Sequence, residues 1–265
     1  MNLTKKKLIA NSFNRATKSY DENAFLQRKI SENLFELIKS DIDKNHIILD
    51  GGCGTGYFHE LLRKNRLYST IIQCDIAKKM CDIAHLYASP AEYGLTYTIN
   101  ADLEYLPFKN DSIDLFFSSM TMQWCSDLEK TINLIHKILK PSGKVAIAIT
   151  AENSLYELTS SFAKIDSLYH TNEFVKQEYV KNIVEKNGFK NISINKNTET
   201  YYYDDIYELL GSIKNIGGNY VKNRNKSYPG KNYFNKLENQ YRKLHSQNGE
   251  KLPLSWEILY ITAEK

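Results

Sequence analysis

Residues 46–56, HIILDGGCGTG, hold the first side chains whose types and spacing could do chemistry. An apolar run, Ile47 to Leu49, reads as a short buried strand ending in Asp50, and glycines follow at alternate positions, Gly52, Gly54 and Gly56. With no Cβ atoms in the way, backbone N–H groups of such a loop can approach a ligand closely. The order is D-x-G-x-G-x-G, whereas a dinucleotide site uses G-x-G-x-x-G. A second apolar run, Ile71 to Cys74, ends in Asp75, 19 residues beyond Gly56. A carboxylate at that place can accept from both hydroxyls of a ribose. Each feature has a plainer alternative, a tight turn for the glycines and a helix N-cap for the acid. Their spacing favours the ribose.

Strands and helices must alternate to put these groups on one edge. Leu26, Ile30, Leu34, Leu37 and Ile38 recur at helical spacing, as do residues from Tyr57 to Leu62 and from Ala77 to Tyr87. Tyr97 to Asn100 reads as a third strand, and the almost wholly apolar Ile113 to Phe117 as a central fourth. Leu128 to Leu139 is helical, Pro141-Ser142-Gly143 is a stop, and Lys144 to Thr150 is a fifth strand. Alternation from 46 to 150 predicts an α/β fold with a doubly wound parallel sheet. Ligands in such sheets sit beyond the strands' C-terminal ends, where Gly52, Asp75, Asp102 and Ser118 fall.

The flanks are less regular. Residues 1–22 are polar, with turn-like Ser19, Asp21 and Asn23 at the end. Ser154 to Tyr169 and Val175 to Asn187 read as helices, Gly188 as a C-cap, and Phe189 to Asn195 and Leu254 to Ala263 as strands six and seven. Residues 201–250 are too many for a connection and read as a functional lid. The chain therefore divides into an N-terminal helical segment (1–45) covering the site, a core (46–200 and 251–265), and a lid insertion (201–250).

Composition narrows the function classes. At 265 residues with a net charge of +4, the chain can bury a full core. MNLTKKKLIANSF has no apolar stretch behind its lysines, no run reaches the roughly 18 apolar residues of a membrane span, and the four cysteines show no disulfide spacing. A cytoplasmic protein is expected. The six histidines form no ligand pattern, and Cys81 with His85 lacks a third partner, so no metal is expected.

The D-x-G-x-G-x-G order resembles the first motif of class I S-adenosylmethionine-dependent methyltransferases. FNRATKSYDENAFLQR, SMTMQWC, SLYELTSSF, HTNEF, LLGSIKNIGGNY and LPLSWEILY, in that order over nearly the full chain, resemble the malonyl-acyl-carrier-protein O-methyltransferases of biotin synthesis. The resemblance implies a seven-stranded, mostly parallel Rossmann-like sheet and S-adenosylmethionine as cofactor, leaving as S-adenosylhomocysteine. It places Asp50, Gly52, Gly54, Gly56, Asp75, Ile76, Asp102, Leu103 and Ser118 around that cofactor, with Asp102 accepting from the adenine amino group. Asp102 could instead be a turn aspartate before Pro107, and Glu104 reads as structural. One departure is Gly51, where the motif usually has leucine or alanine; its added backbone entropy costs roughly 0.5–1 kcal/mol on ordering.

The implied reaction is methylation of the free carboxylate of a malonyl thioester on acyl carrier protein. For the acceptor the candidates are Tyr20, Gln123 with Trp124 as a wall, and Arg224 as a bidentate charge. Packing roles are the alternative for Tyr20 and Trp124, and a solvated surface position for Arg224. Eight basic residues between Lys214 and Lys243, against Glu238 alone, would steer an acidic carrier protein to the mouth of the site. Interleaved tyrosines at 220, 228, 233 and 241 would also suit RNA, although no nucleic acid and no membrane is the expectation. A methyltransferase for a small apolar acceptor such as a quinone precursor, an RNA methyltransferase and a non-catalytic binding module on the same fold are the alternatives.

Overall fold

The computed structural model of the chain describes residues 3–67, 69–88, 94–168, 170–218, 220–221, 230–246 and 250–265. Between 46 and 150 the alternation is β1 (Ile47–Gly51), α3 (Tyr57–Lys64), β2 (Thr70–Asp75), α4 (Lys78–Tyr87), β3 (Thr96–Asn100), β4 (Ile113–Ser119), α5 (Leu128–Ile138) and β5 (Leu139–Thr150). Before it stand α1 (Leu3–Asn23) and α2 (Phe25–Ile38). After it come α6 (Tyr156–Phe162), α7 (Gln177–Lys186), β6 (Lys190–Tyr203), α8 (Ile206–Asn215), α9 (Lys231–His245) and β7 (Leu252–Glu264). The seven strands form one sheet in the order β3-β2-β1-β4-β5-β7-β6. β1 to β5 pair in parallel, and only β7 runs against its neighbours. The order reverses at β1–β4, so a crevice opens beyond the C-terminal ends of those two strands.

Each face carries its own core. Leu26, Ile30, Leu34, Phe35 and Ile38 of α2 pack with Phe58 and Leu62 of α3 on one side. Leu128, Ile132 and Ile135 of α5 pack with Val180 and Ile183 of α7 on the other. Leu37, expected in the α2 stripe, is exposed, and Phe35 takes its place.

Four boundaries differ from the expected ones, the first being β5, which begins at Leu139 and takes in Pro141-Ser142-Gly143, expected as a stop before Lys144. The polar N-terminal segment is a continuous helix through Ser19 and Asp21, because its polar side chains are spent on distant partners. Ser12 and Ser19 donate to Gly217 O and Asn215 O, each at 3.0 Å, and Asp21 accepts from Thr55 at 2.7 Å. β6 runs to Tyr203, eight residues past Asn195, and so takes in the first three residues of the expected insertion. It is an edge strand of mixed exposure, so no apolar run marks its second half. Finally, α6 is a short helix ending at Phe162. The helices of the 201–250 region are no detached flap: Ile206, Leu209, Leu237 and Tyr241 join the same core cluster as α2.

Candidate active site

The glycine loop is held by the strand it leaves and the strand beside it. Gly52 and Cys53 N–H both donate to Cys74 O (2.7 and 3.0 Å), and Gly54 N–H donates to Asp75 Oδ2 at 3.0 Å. Gly56 N–H donates to Cys53 O at 2.9 Å. The N–H groups of Gly52, Cys53, Gly54 and Gly56 are therefore committed internally. A loop whose N–H groups already have acceptors is no phosphate nest. What the glycines supply is room: Gly52 has φ +82°, and a Cβ there would meet the Thr121 side chain at 2.1 Å. Gly51 has the same meaning, since a Cβ would meet the Phe116 ring at 2.7 Å. The departure read as an entropic cost is a packing requirement.

Lys6, Tyr20, Gly52, Gly54, Asp75, Ile76, Asp102, Leu103, Ser119 and Thr121 surround one cavity over this loop. Asp50 lines an adjoining cleft with Gly52, Gly54 and Ser119. Two expected cofactor residues lie behind the wall. Ser118 is fully buried and donates to Gly51 O at 2.7 Å, tying β4 to β1, while its neighbour Ser119 faces the cavities. Gly56, at φ +93°, leaves space for Gln73 and Ala84 where α3 begins.

The acids differ in electrostatics. Burial pushes the Asp50 carboxyl up to about 8, helped by the nearby Asp75 charge. Burial also raises Asp75, to about 6, against backbone N–H bonds from Ala77 and Gly54 that favour the anion. Asp102 accepts from Glu104 N at 3.1 Å and from Lys6 Nζ at 3.0 Å. Lys6 also pairs with Glu104, which is buried and takes Ser126 N–H and Asp127 N–H at 3.1 and 3.0 Å. Burial disfavours the Lys6 charge, and the bonds to Glu104 and Asp102 more than offset it, so its pKa stands above that of a free lysine. Nothing in the sequence links Lys6 to residues 96 positions away.

A second, largely apolar cavity of about 450 Å³ adjoins the first. Gln123, Trp124 and Thr150 line it from the sheet side, Leu155 and Phe162 from α6, and Lys214, Tyr233 and Phe234 from the lid helices. Tyr20 borders both cavities and the Asp50 cleft. Burial first, and then the Asp75 charge, push its phenol well above the usual range, so it remains a hydrogen-bond donor. Trp124 also walls both cavities and takes the edge of Phe13 at 5.7 Å. Gln123 donates its amide N–H to Met120 O at 2.7 Å, which leaves its carbonyl oxygen buried without a partner. Met120, at φ +51°, is a strained residue at the junction of the cavities. Arg224 lies outside the described residues, as do Lys222 and Lys226.

Among the described residues, six buried side-chain polar atoms lack a hydrogen-bond partner: Gln27 Oε1, Asp50 Oδ2, Gln73 Nε2, Ser119 Oγ, Gln123 Oε1 and Thr150 Oγ1. All but Gln73 belong to residues that line these cavities. Buried polar groups without partners are costly, and here they gather where a ligand would satisfy them. Among the described residues no three His, Cys, Asp or Glu side chains are grouped to hold a metal. No helix among them is long and apolar enough to cross a membrane.

A doubly wound sheet with an antiparallel β7, a glycine loop without free phosphate donors, and acids at the ends of β2 and β3 define a class I S-adenosylmethionine-dependent methyltransferase. A methyltransferase domain model matches residues 49–147. The YcgJ protein of Bacillus subtilis shares the fold, with a TM-score of 0.64 at 16% identity over 88% of this chain and 98% of that one. A malonyl-[acyl-carrier protein] O-methyltransferase of Dechloromonas aromatica is 33% identical over 97% of this chain and 94% of its own. The BioHC bifunctional biotin-synthesis protein of Teredinibacter turnerae is 32% identical over 98% of this chain, which spans 47% of that protein. The chain belongs to the malonyl-[acyl-carrier protein] O-methyltransferase family.

Proposed function

We propose that this enzyme methylates the free carboxylate of a malonyl thioester carried on acyl carrier protein, yielding a methyl ester for biotin synthesis. The observation that carries this reading is the pairing of the two cavities at Tyr20. One is edged by the glycine loop and the strand-end acids, and the other is large, mostly apolar and walled by the lid helices. The family relatives named for this reaction support the choice of acceptor.

In this reading Asp75 takes the ribose hydroxyls, Asp102 takes the adenine amino group through the oxygen that Lys6 does not occupy, and Ile76 and Leu103 flank the base. Asp50, raised to about 8 by burial, returns to the anion when a cation settles beside it, as the ammonium of a methionine moiety would. The bound cofactor supplies a methyl group already activated by its sulfonium. An acceptor carboxylate is ionised at neutral pH and needs no general base. The chain's own work is therefore orientation, which can lower a barrier by on the order of 7–11 kcal/mol. Tyr20 is placed for that, as a neutral donor at the junction.

The lid's basic run supports docking of an acidic carrier, with some of its members removed from the count. Arg242 is used internally, on Glu238 and on the carbonyls of Asp204 and Glu250. Lys236 and Lys243 are exposed on α9, and Lys214 is exposed on α8 beside the acceptor cavity. Tyr241 is fully buried with its hydroxyl on Pro253 O, and Tyr233 bonds Asp166 at 2.5 Å. Those rings are not free to stack on bases, which favours the protein partner over RNA. A cytoplasmic location belongs to the same reading, as the compartment where an acidic carrier and the cofactor would both be met. Incubation with labelled S-adenosylmethionine and, separately, malonyl-carrier, free malonyl thioester, a quinone precursor and tRNA tests the assignment. Label is expected on the malonyl acceptors, as a base-labile ester; label on the quinone precursor or tRNA alone would overturn it.

A further inference from the structure

The unpartnered polar atoms on the acceptor side belong to Gln27, Gln123 and Thr150, and for Gln27 and Thr150 the sequence suggests no role at the site. Thr150 closes β5, and nothing about the strand's packing calls for a hydroxyl there: Val145, Ala146, Ile147, Ala148 and Ile149 before it are all buried and apolar. The residue is fully buried, yet it lines the acceptor cavity, and its Oγ1 has no partner. The register fixes its depth. Ser119 of β4 pairs with Ala148, and Met120 N–H donates to Ala148 O at 2.8 Å. Thr150 therefore lies two residues beyond the partner of the cofactor-facing Ser119, at the C-terminal end of β5 on the acceptor side. Gln27 arrives from the other side, on the first turn of α2. It lines both the acceptor cavity and the Asp50 cleft, as Tyr20 does, and its amide oxygen is buried without a partner.

We infer that Gln27 and Thr150, together with Tyr20, form a charge-free cradle that recognises the acceptor carboxylate and aims it at the cofactor cavity. The inference rests on the malonyl reading of this site and names the groups that would do the recognising. An amide turned about its last torsion presents N–H₂ in place of oxygen, and a threonine hydroxyl rotates freely, so both can donate. Three neutral donors suit this acceptor better than a cation would. A guanidinium or ammonium in contact would stabilise the resting carboxylate and blunt its nucleophilicity. Uncharged donors orient the group and leave its electron density available. Among the described residues of the acceptor cavity, the charged groups are already committed or exposed. Asp166 is already bound to His170 and Tyr233, and Lys214 belongs to an exposed position on the lid. Gln123 lines the same cavity, with its amide N–H donated to Met120 O.

The cradle makes an unusual stability prediction. Thr150→Val and Gln27→Leu delete buried polar atoms that have no partner, so each variant should unfold at the same temperature as the parent or higher. The same variants should raise KM for malonyl-carrier, by about tenfold each if one hydrogen bond to a charged group is lost. The dissociation constant for S-adenosylmethionine should be unchanged in Thr150→Val, which lies outside the Asp50 cleft, and so should the inhibition constant of acetyl-carrier, which has no carboxylate. Thr150→Ser should keep the parental KM. The assay is steady-state methylation by the full chain, with calorimetry and thermal unfolding on the same preparations. A parent enzyme that makes no malonyl ester would overturn the substrate reading and the cradle with it. If the parent is active and the variants keep its malonyl KM, or if malonyl KM and acetyl inhibition shift together, the substrate reading stands and the cradle is overturned.

Discussion

The cofactor cavity and the acceptor cavity meet at Tyr20 but are built on different plans. Around the cofactor cavity, most of the lining comes from the ends of β1, β2, β3 and β4 and the turns after them, with α1 closing it from Lys6 to Tyr20. Its loop N–H groups are held internally, Gly52 and Cys53 by Cys74 O and Gly54 and Ala77 by the Asp75 carboxylate, while Ser119 Oγ and Asp50 Oδ2 keep no partner. The acceptor cavity is assembled from α1, α2, the ends of β4 and β5, α6, and the lid helices α8 and α9. Its wall is apolar, and Gln27, Gln123 and Thr150 keep unpartnered polar atoms there. A cofactor common to many reactions can be held by geometry that strand ends provide. An acceptor peculiar to one reaction has to be read by side chains brought from far apart. Substitutions on the first side should therefore cost cofactor affinity and stability, and substitutions on the second should cost turnover.

The largest effect is expected at the glycine loop. Gly52→Ala places a Cβ on the Thr121 side chain in a left-handed backbone. Left-handed strain of about 1–2 kcal/mol plus overpacking of about 1–3 should destabilise the fold by roughly 2–5 kcal/mol and abolish cofactor binding in titration calorimetry. Retained affinity in that variant would mean the loop does not need its close approach to Thr121.

Next is Asp75. Asp75→Ala should weaken S-adenosylmethionine by roughly 1.5–3 kcal/mol, the worth of hydrogen bonds to a charged group. A pH signature goes with it. Burial raises this carboxyl from 3.8 to about 6, so between those values the folded chain holds a proton that the unfolded chain has lost. Its contribution to stability is therefore fullest below about pH 4 and is lost as pH rises through 6. Ribose hydroxyls prefer the anion, so Asp75 should give a rise in cofactor affinity through pH 6, with proton release on binding, below a separate rise toward pH 8 that Asp50 contributes. Asp75→Asn should remove the rise through pH 6; an unchanged profile would assign the titration to another group.

These two sites were legible because they are local. Alternate glycines after an apolar run, and an acid 19 residues on, are marks that a short stretch of chain carries by itself. The second half of β6, NKNTETYYY, was not legible, because a polar edge strand lacks the apolar run that reveals a buried one. Nor was α1 as one helix: Ser12, Ser19 and Asp21 look like loop residues until their partners at 217, 215 and 55 are seen. Lys6 and Thr150 carry no sequence signal, and Gln27 sits in a family-like segment that does not say which of its residues faces the site. A lysine among lysines, a glutamine on an amphipathic helix and a threonine in a strand are ordinary, and only tertiary packing isolates them.

A smaller, salt-sensitive effect is expected on the outer surface of the lid. Reversing Lys236 and Lys243 to Glu should slow association with malonyl-carrier several-fold at low salt and leave a free malonyl thioester almost untouched. Raising salt should close the gap, since exposed charges are screened beyond about 8 Å at physiological ionic strength. Equal losses on both substrates would place these lysines in the acceptor half itself.

Tyr20→Phe tests most directly the claim that cofactor binding and acceptor reading are separate tasks joined at one phenol. The substitution keeps the ring between the two cavities and removes only the donor. Turnover number on malonyl-carrier and the dissociation constant for S-adenosylmethionine are to be measured on the same preparation. The predicted result is a turnover number lower by about tenfold or more, as for one lost hydrogen bond to a charged acceptor, with cofactor affinity unchanged. Unchanged turnover, or a loss of cofactor affinity that accounts for the whole effect, would contradict it.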